Sequence, residues 1–496
     1  MLGKNKPSQS EIDGVQYRRA KLWQIILVSC NALVGMGVYS LIGMATYAGN
    51  IGFGIATVTV GVVVAISRIF DGITDPLLAF VYDRVNTRFG KLRILMIAGF
   101  LIEAAALLCM YNLMAGKGFG LVTFFALYII YVIGYTLTNM TCQTLPAIMT
   151  NDPKQRPTIG VYTTVLNYAI PMGLTMFNFV VLMPKFGGYT PEFLSTVCWV
   201  VLGLGALGTL LTCIGISEYD KPENFVGTSK KQEPLKLKDM LEVLAHNRPL
   251  QCYIASNASD KLAQQTNSQA VVSTLIFGII IGDMAMSTTL STMSMLPSIF
   301  CAALGAWYVG RKGSKKGIVT WTWVSMAISI VTVIFFVLVD PTQIAVAGSL
   351  PMFIFFGLNL LQNGSNMCIT TANTSYMADC IDYELDRSGK YVPAVISGTY
   401  SLIDKLISSL GSVIATAAVA MIGYSAVLPQ PGDPSTPGIF WMGMALKFGM
   451  PIVGWIITLV AMKFCALDKE EMVNIQKRIA DKKAAAVKGI IDDALQ

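Results

Sequence analysis

WQIILVSCNALVGMGVYSLIGMATY, Trp23 to Tyr47, runs for 25 residues without a charged side chain. The hydrocarbon core of a bilayer takes about 20 helical residues to cross. No water there pairs with the backbone, so such a segment must close its own hydrogen bonds as a helix. Ile94 to Leu113, Trp199 to Ile216 and Trp441 to Phe464 read the same way. Hydrophobic residues make up 54% of the 496 and charged residues 13%, about half the charged share of an ordinary soluble domain. A chain this apolar cannot cover its surface in water. The expected class is therefore an all-α polytopic membrane protein.

Spans are expected at 23–47, 53–80, 92–114, 120–149, 158–184 and 191–217, then at 249–280, 286–310, 317–340, 347–378, 394–427 and 438–466. That makes about twelve transmembrane helices in two six-helix bundles. The polar, Lys-rich stretch 218–248, with Pro222 and Pro234, divides six from six. The expected domains are an N-terminal bundle (1–217), a linker (218–248), a C-terminal bundle (249–467) and a tail (468–496). A short basic loop follows the second span of each half: DRVNTRFGKLR, Asp83 to Arg93, and GRKGSKKG, Gly310 to Gly317. Paired halves of this kind are the layout of a major-facilitator fold, with the substrate site between halves at the midplane.

The net charge of +7 lies in alternate loops. Lys4, Lys6, Arg18, Arg19 and Lys21 precede the first span. Further clusters fall at Arg84 to Arg93, Lys154 and Arg156, Lys221 to Arg248, Arg311 to Lys316 and the tail. The opposite loops carry little beyond Lys117 and Lys185. This alternation follows the positive-inside rule. It places both termini in the cytoplasm and accounts for the basic residues without nucleic acid. The first apolar run is long enough to span and reads as a helix rather than a cleaved leader. Ten scattered Cys and one His, His246, form no metal-spaced or disulfide-spaced set, so no metal or cofactor is expected. The tail carries Met472, Ile475, Ile479 and Ala480 near helical spacing and is expected as a surface helix, largely solvated; the alternative is a tail that docks in a regulatory role.

The chemistry concentrates in the second span, ISRIFDGITDPLLAFVYDR. Arg68, Asp71 and Asp75 stand at i, i+3 and i+7, on one helix face. Charge at membrane depth persists where it meets a partner or a wet cavity. Two carboxylates one turn apart suit Na⁺ as hard oxygen ligands, and their mutual repulsion also suits holding a proton. The alternative is an Arg–Asp pair that only locks helices. Span three holds one acid, Glu103, which is either a proton carrier or a neutral hydrogen-bonding group. Span seven, SNASDKLAQQTNSQ, sets Asn257, Asp260, Gln264 and Asn267 on one face, with Lys261 beside them. Converging amides and carboxylates suit a polyol; the alternative is a helix that lines water only. Asp404 and Lys405 fall in span eleven. Span ten adds Asn359, Gln362, Asn363 and Asn366, which either line a cavity or pack helices. Trp199, Trp307, Trp321 and Trp323, near span ends, read as interface anchors.

The second-span segment resembles the signature of the glycoside–pentoside–hexuronide:cation symporters, the melibiose-permease group. HNRPL (His246 to Leu250) and MADCIDYELDRSGKYVPAVISGTYSLIDKL (Met377 to Leu406) resemble further family segments in the same order. The resemblance covers nearly the whole chain. It implies a twelve-helix major-facilitator fold and uptake of a sugar coupled to Na⁺, H⁺ or Li⁺. Asp71 and Asp75 match the family's cation-site acids, and Lys405 falls in its lysine region, as a switching partner for them. Asp83, Arg84, Arg88, Gly90, Lys91 and Arg93 resemble the gating loop of major-facilitator proteins. The chain also departs from the family. No acid stands between Lys21 and Asp71, and Asn139 in YTLTNMTCQTL stands where melibiose-type members carry an acid.

The expected function is secondary active symport of a glycoside, pentoside or hexuronide by alternating access. The partners are a small sugar, a monovalent cation and the lipid of a plasma membrane, as in a bacterial inner membrane, with a monomer as the working unit. The competing readings are a same-fold transporter of a lipid or peptide and a membrane sensor that does not transport. No nucleophile–base pair or metal set supports an enzyme.

Overall fold

The structure, a computed structural model, describes residues 19–84, 87, 89–150, 156–221, 237–389, 393–479 and 481; the side chains at 72–84 and at scattered other helix positions are not among those described. The basic arm through Arg18, Lys154, linker residues 222–236, Lys390 and the tail beyond 481 lie outside that set. Every regular element among the described residues is helical.

The helices run in the expected order. They are α1 (Leu22–Ile42), α2 (Thr57–Arg84), α3 (Leu92–Leu113), α4 (Gly120–Met149), α5 (Arg156–Met176, continuing to Phe186) and α6 (Pro191–Ile216). A short linker helix, Leu237–His246, precedes α7 (Arg248–Asn267, continuing as Ala270–Ile281), α8 (Ala285–Lys312), α9 (Ser314–Leu338) and α10 (Leu350–Ser388). Last come α11 (Pro393–Ser408, then Leu410–Met421) and α12 (Pro437–Lys463). Eight of these are long and apolar enough to cross a membrane unaided. The four that are not, α2, α7, α8 and α10, are rich in charged or polar side chains, which lowers their hydropathy without shortening them. Between α7 and α8 the chain turns by 112° at Gly282, whose φ of +84° is one that a side chain disfavours.

Helix ends follow from local chemistry. Thr190, Asn247, Ser349 and Thr436 each accept a backbone N–H three residues on, at 3.2, 2.9, 3.1 and 3.3 Å. Each is followed by a proline in the first turn, where the missing N–H costs nothing and φ is already helical. Large apolar side chains lie on the outside, among them Leu338, Phe300, Trp199 and Trp323. That exposure suits lipid. Trp307 is exposed as well and has the Arg311 guanidinium 4.4 Å from its ring centre.

Contacts divide the chain into two compact units, Met1–Ile55 with Phe70–Gln232, and Ala56–Ile69 with Glu233–Gln496. Arg68 is thus counted with the second and Asp71 with the first. In the first unit α3 packs on α4 and α1 on α6. In the second, α10 packs on α8 and α9, and α7 on α12.

The tail differs from the expectation of a solvated end. Residues 469–479 form a helix whose Ile475 and Ile479 are buried in the second unit's core, with Met472 against the same cluster. Arg478 pairs with Asp386 at 2.8 Å, Gln476 donates to Asp382 at 2.7 Å, and Lys469 donates to the Arg311 carbonyl at 2.7 Å. The apolar stripe has found a groove, and its polar flanks have found the acidic end of α10.

Candidate functional site

The site in the first unit grows from one tight helix crossing. Gly99 on α3 and Gly134 on α4 face each other's helix. A Cβ at Gly134 would fall 2.6 Å from the Glu103 nitrogen and 2.8 Å from the Gly99 carbonyl. Small residues at a crossing allow this approach, and it seats Glu103 against α4. Glu103 is fully buried, and neither carboxyl oxygen receives a well-aligned hydrogen bond. The nearby Thr138 hydroxyl donates instead to the Gly134 carbonyl at 3.0 Å.

Beside Glu103 lies a cavity of about 280 Å³. Its polar lining joins Glu103 and Asn139, both legible in the sequence, to Asn31, Tyr135, Thr138, Thr163 and Asn167, which were not. Asn31 sits where α1 breaks after Ser29, and a lone amide at a break in an apolar run was the available signal. Asn167 and Thr163 are one turn apart on α5.

One turn of α4 also reaches Asp71. The Thr136 hydroxyl donates to Asp71 Oδ1 at 2.8 Å. Tyr135, in the cavity lining, is within electrostatic reach of both Asp71 and Glu103. Asp75 is one turn further along α2; its side chain lies outside the described residues.

In the second unit, Arg68 donates to Gln265 Oε1 at 2.7 Å, tying the first half of α2 to α7. Lys261 donates to Gln264 at 3.0 Å and is within electrostatic reach of Asp260 and Asp404. Lys405 acts on Asp404 as well, so α7 and α11 bring two acids and two lysines into one neighbourhood. Gln264 is exposed, Asp260 and Asn267 are partly buried, and Asn257 is buried, donating to its own helix at the Tyr253 carbonyl, 3.3 Å. The polar face of α7 therefore divides between packing and open space. In α10, Gln362 accepts from Ser329 at 3.0 Å and Asn366 from Ser325 at 3.4 Å, so that part of its stripe packs against α9. A partly buried ionisable group missed in the sequence is Lys447, in the apolar run of α12, where the helix widens by a π-type turn.

Of the gating-loop residues, Arg93 is placed by Asp220. The Asp220 carboxylate accepts the backbone N–H of Lys91, Leu92 and Arg93 at 2.8, 3.1 and 2.9 Å, and Arg93 Nε at 3.3 Å. It thereby caps α3. Gly90, at φ +99°, leaves room for it. The side chains of Asp83 and Arg84, and the whole of Arg88, lie outside the described residues. The acidic end of α10 is occupied within its own unit. Glu384 is held by Arg387 at 2.7 Å and by Asn247 at 3.0 Å, and Asp382 and Asp386 by the tail.

Long apolar helices that carry charged residues, with a polar cavity in the first unit, fit a polytopic transporter. Comparison with known proteins makes this specific. Residues 38–469 match the family described as MFS/sugar transport protein, and the chain belongs to it. Escherichia coli (strain K12) YagG, named as a putative glycoside/cation symporter, is 23% identical over 378 residues, 75% of this chain and 77% of that protein. Bacillus subtilis (strain 168) YnaJ, named as an uncharacterized symporter, is 21% identical over 446 residues, 87% of this chain and 88% of its own. Among solved structures, the nucleoside transporter NupG superposes with a TM-score of 0.59 at 15% identity, covering 90% of this chain and 99% of that one. The chain is a multi-pass membrane protein of the sugar-transport family of major facilitators.

Proposed function

We propose that the chain imports a glycoside, pentoside or hexuronide together with a monovalent cation, by alternating access. The observation that carries this is the turn of α4 from Tyr135 to Asn139. Thr136 bonds Asp71, a family-matched cation acid, while Tyr135, Thr138 and Asn139 line a cavity of amides and hydroxyls. Sugar hydroxyls are both donors and acceptors, and amide side chains answer both. Asp71 and Asp75 take the cation, and Lys405 neutralises them when it leaves. Asn139, with Asp260, Lys261, Gln264 and Asn267, takes part in holding the sugar, while Asn257 packs within α7. Asp83, Arg84, Arg88 and Arg93 serve the gating loop. The names of YagG and YnaJ as symporters support the coupling. The carrier works as a monomer in the plasma membrane with both termini cytoplasmic, and needs no cofactor beyond the co-transported ion.

The test is thermal stability of the purified carrier against a glycoside, pentoside and hexuronide panel, with and without Na⁺. A ligand at a hundred times its Kd stabilises the folded state by about 2.7 kcal/mol. A sugar-specific rise, followed by accumulation in proteoliposomes that Asp75→Asn abolishes, is the expected result. No rise with any sugar, in protein shown to be folded, overturns the sugar reading. Wild-type accumulation by Asp75→Asn removes that acid from the mechanism.

A further inference from the structure

Among the described residues, three carboxyls are buried: Glu103, Asp220 and Glu384. Two are compensated, Asp220 by three amides and Arg93, and Glu384 by Arg387 and Asn247. The partly buried acids have partners too. Asp71 has Thr136, and Asp260 and Asp404 have Lys261 within reach. Glu103 alone in this set has neither a cation acting on it nor a well-aligned donor. Yet it forms part of the wall of a cavity whose other polar groups, Asn31, Tyr135, Thr138, Asn139, Thr163 and Asn167 among them, are uncharged, with its own carboxyl oxygens closed off from solvent in this conformation. An ionised carboxylate in such a place has only the cavity's water to solvate it. A carboxylic acid needs no counter-charge.

We propose that Glu103 is the group on which this transporter takes up and releases a proton, so that proton and solute share the first-unit cavity. The proposal rests on the symport reading and adds to it: a proton is carried at Glu103, besides the cation taken by Asp71 and Asp75. In the loaded state Glu103 is the acid, enclosed as in this structure, while the surrounding amides take the polar groups of the solute. When the solute leaves, water refills the cavity. The O–H bond then breaks, the proton passes to water, and the carboxylate remains, solvated by that water. Loading reverses each step. The solute expels the water on which the carboxylate depends, so proton and solute bind as a pair.

The groups facing Glu103 are few. From α4 come Tyr131, Tyr135 and Cys142. Asp71 on α2 acts on the same tyrosines. From α1 and α5 come amides, Thr163 and aliphatic side chains. None of these is a cation that would hold Glu103 ionised.

The test uses the full chain, reconstituted in lipid. Infrared difference spectra of wild type against Glu103→Gln isolate the carboxylic-acid C=O band of this residue. The band should be lost reversibly as pH is raised and restored when the sugar that raised the melting temperature is added. In proteoliposomes that sugar, moving down its gradient, should carry protons in with the wild type. The ratio of protons to sugar should fall to background in Glu103→Gln. Should that variant not fold, Glu103→Asp identifies the band by displacing it. A band that persists at every pH the fold survives, or is absent throughout, overturns the proposal. So does a Glu103→Gln carrier with an unchanged proton-to-sugar ratio. If no sugar binds at all, the symport reading fails by itself, and the titration of the band still decides the role of Glu103.

Discussion

Gly134→Ala tests whether the α3–α4 crossing sets the position of Glu103. The added Cβ would lie 2.6 Å from the Glu103 nitrogen, 2.8 Å from the Gly99 carbonyl oxygen and 2.9 Å from the Glu103 Cβ. Two of these are backbone atoms, so no side-chain rotation relieves them. Ordinary contact begins at 3.4 Å, so one helix must move by about 0.8 Å, and Glu103 moves with it. Overpacking of this kind costs about 1–3 kcal/mol, while replacing glycine by alanine within a helix returns about 1 kcal/mol. Gly203→Ala in α6 isolates the second effect, because a Cβ there meets nothing within 4 Å. Gly134→Ala should therefore be less stable than Gly203→Ala by about 1–3 kcal/mol, read as a lower apparent melting temperature in detergent. Its affinity for the sugar should fall, whereas that of Gly203→Ala should not. Equal stability and equal affinity in the two variants would refute the close crossing and, with it, the account of why Glu103 sits where it does.

Removing the α3 cap by Asp220→Ala strands three backbone N–H groups and Arg93. The lost cap costs about 1 kcal/mol and the lost charge-assisted bonding about 1–3 kcal/mol more; Asp220→Asn, which keeps one acceptor oxygen, should lose less, and equal melting of all three proteins counts against the cap. Thr136→Val deletes the hydroxyl donor to Asp71 while keeping its shape. A hydrogen bond to a charged group is worth about 1.5–3 kcal/mol, so the cation concentration for half-maximal transport should rise about tenfold or more, and an unchanged value would detach Thr136 from the cation site. Ile475→Asp places a charge in the groove that holds the tail. Cys465 is buried beside the Tyr376 hydroxyl at 2.6 Å, so a thiol reagent should modify it slowly in the wild type and markedly faster in Ile475→Asp; identical rates would mean that the tail does not shield it.

What the sequence disclosed and what it withheld divide along a physical line. Membrane spans are a matter of transfer free energy, which each segment carries by itself, so α1, α3, α6 and α12 were legible from their own residues. Three of the four helices with poor hydropathy were legible for the opposite reason: Arg68, Asp71 and the amides of α7 and α10 stand out because hydrocarbon tolerates them so poorly. Convergence is different in kind. Nothing local says that Asn31, Asn167 and Glu103 share a cavity, because that depends on where α1, α3 and α5 are placed by distant contacts, including the glycine crossing with α4. The tail shows the same limit. Its stripe of Met472, Ile475 and Ile479 was readable, but its partners Asp382 and Asp386 lie some ninety residues upstream.

Between these cases stands the segment YTLTN, Tyr135 to Asn139, whose polarity was plain and whose two faces were not. Positions 135, 138 and 139 share one side of a helix, and position 136 lies about 100° round from 135. A single turn can therefore present Tyr135, Thr138 and Asn139 to the cavity and Thr136 to Asp71. Because these groups ride on one rigid backbone, a solute that draws α4 toward the cavity also moves Thr136 relative to Asp71. A shift of α4 on solute binding would then alter the geometry at Asp71 without any contact between solute and ion. Had the polar residues fallen at 135, 138, 139 and 142, all on one face, the cavity would be as polar and that link would be absent.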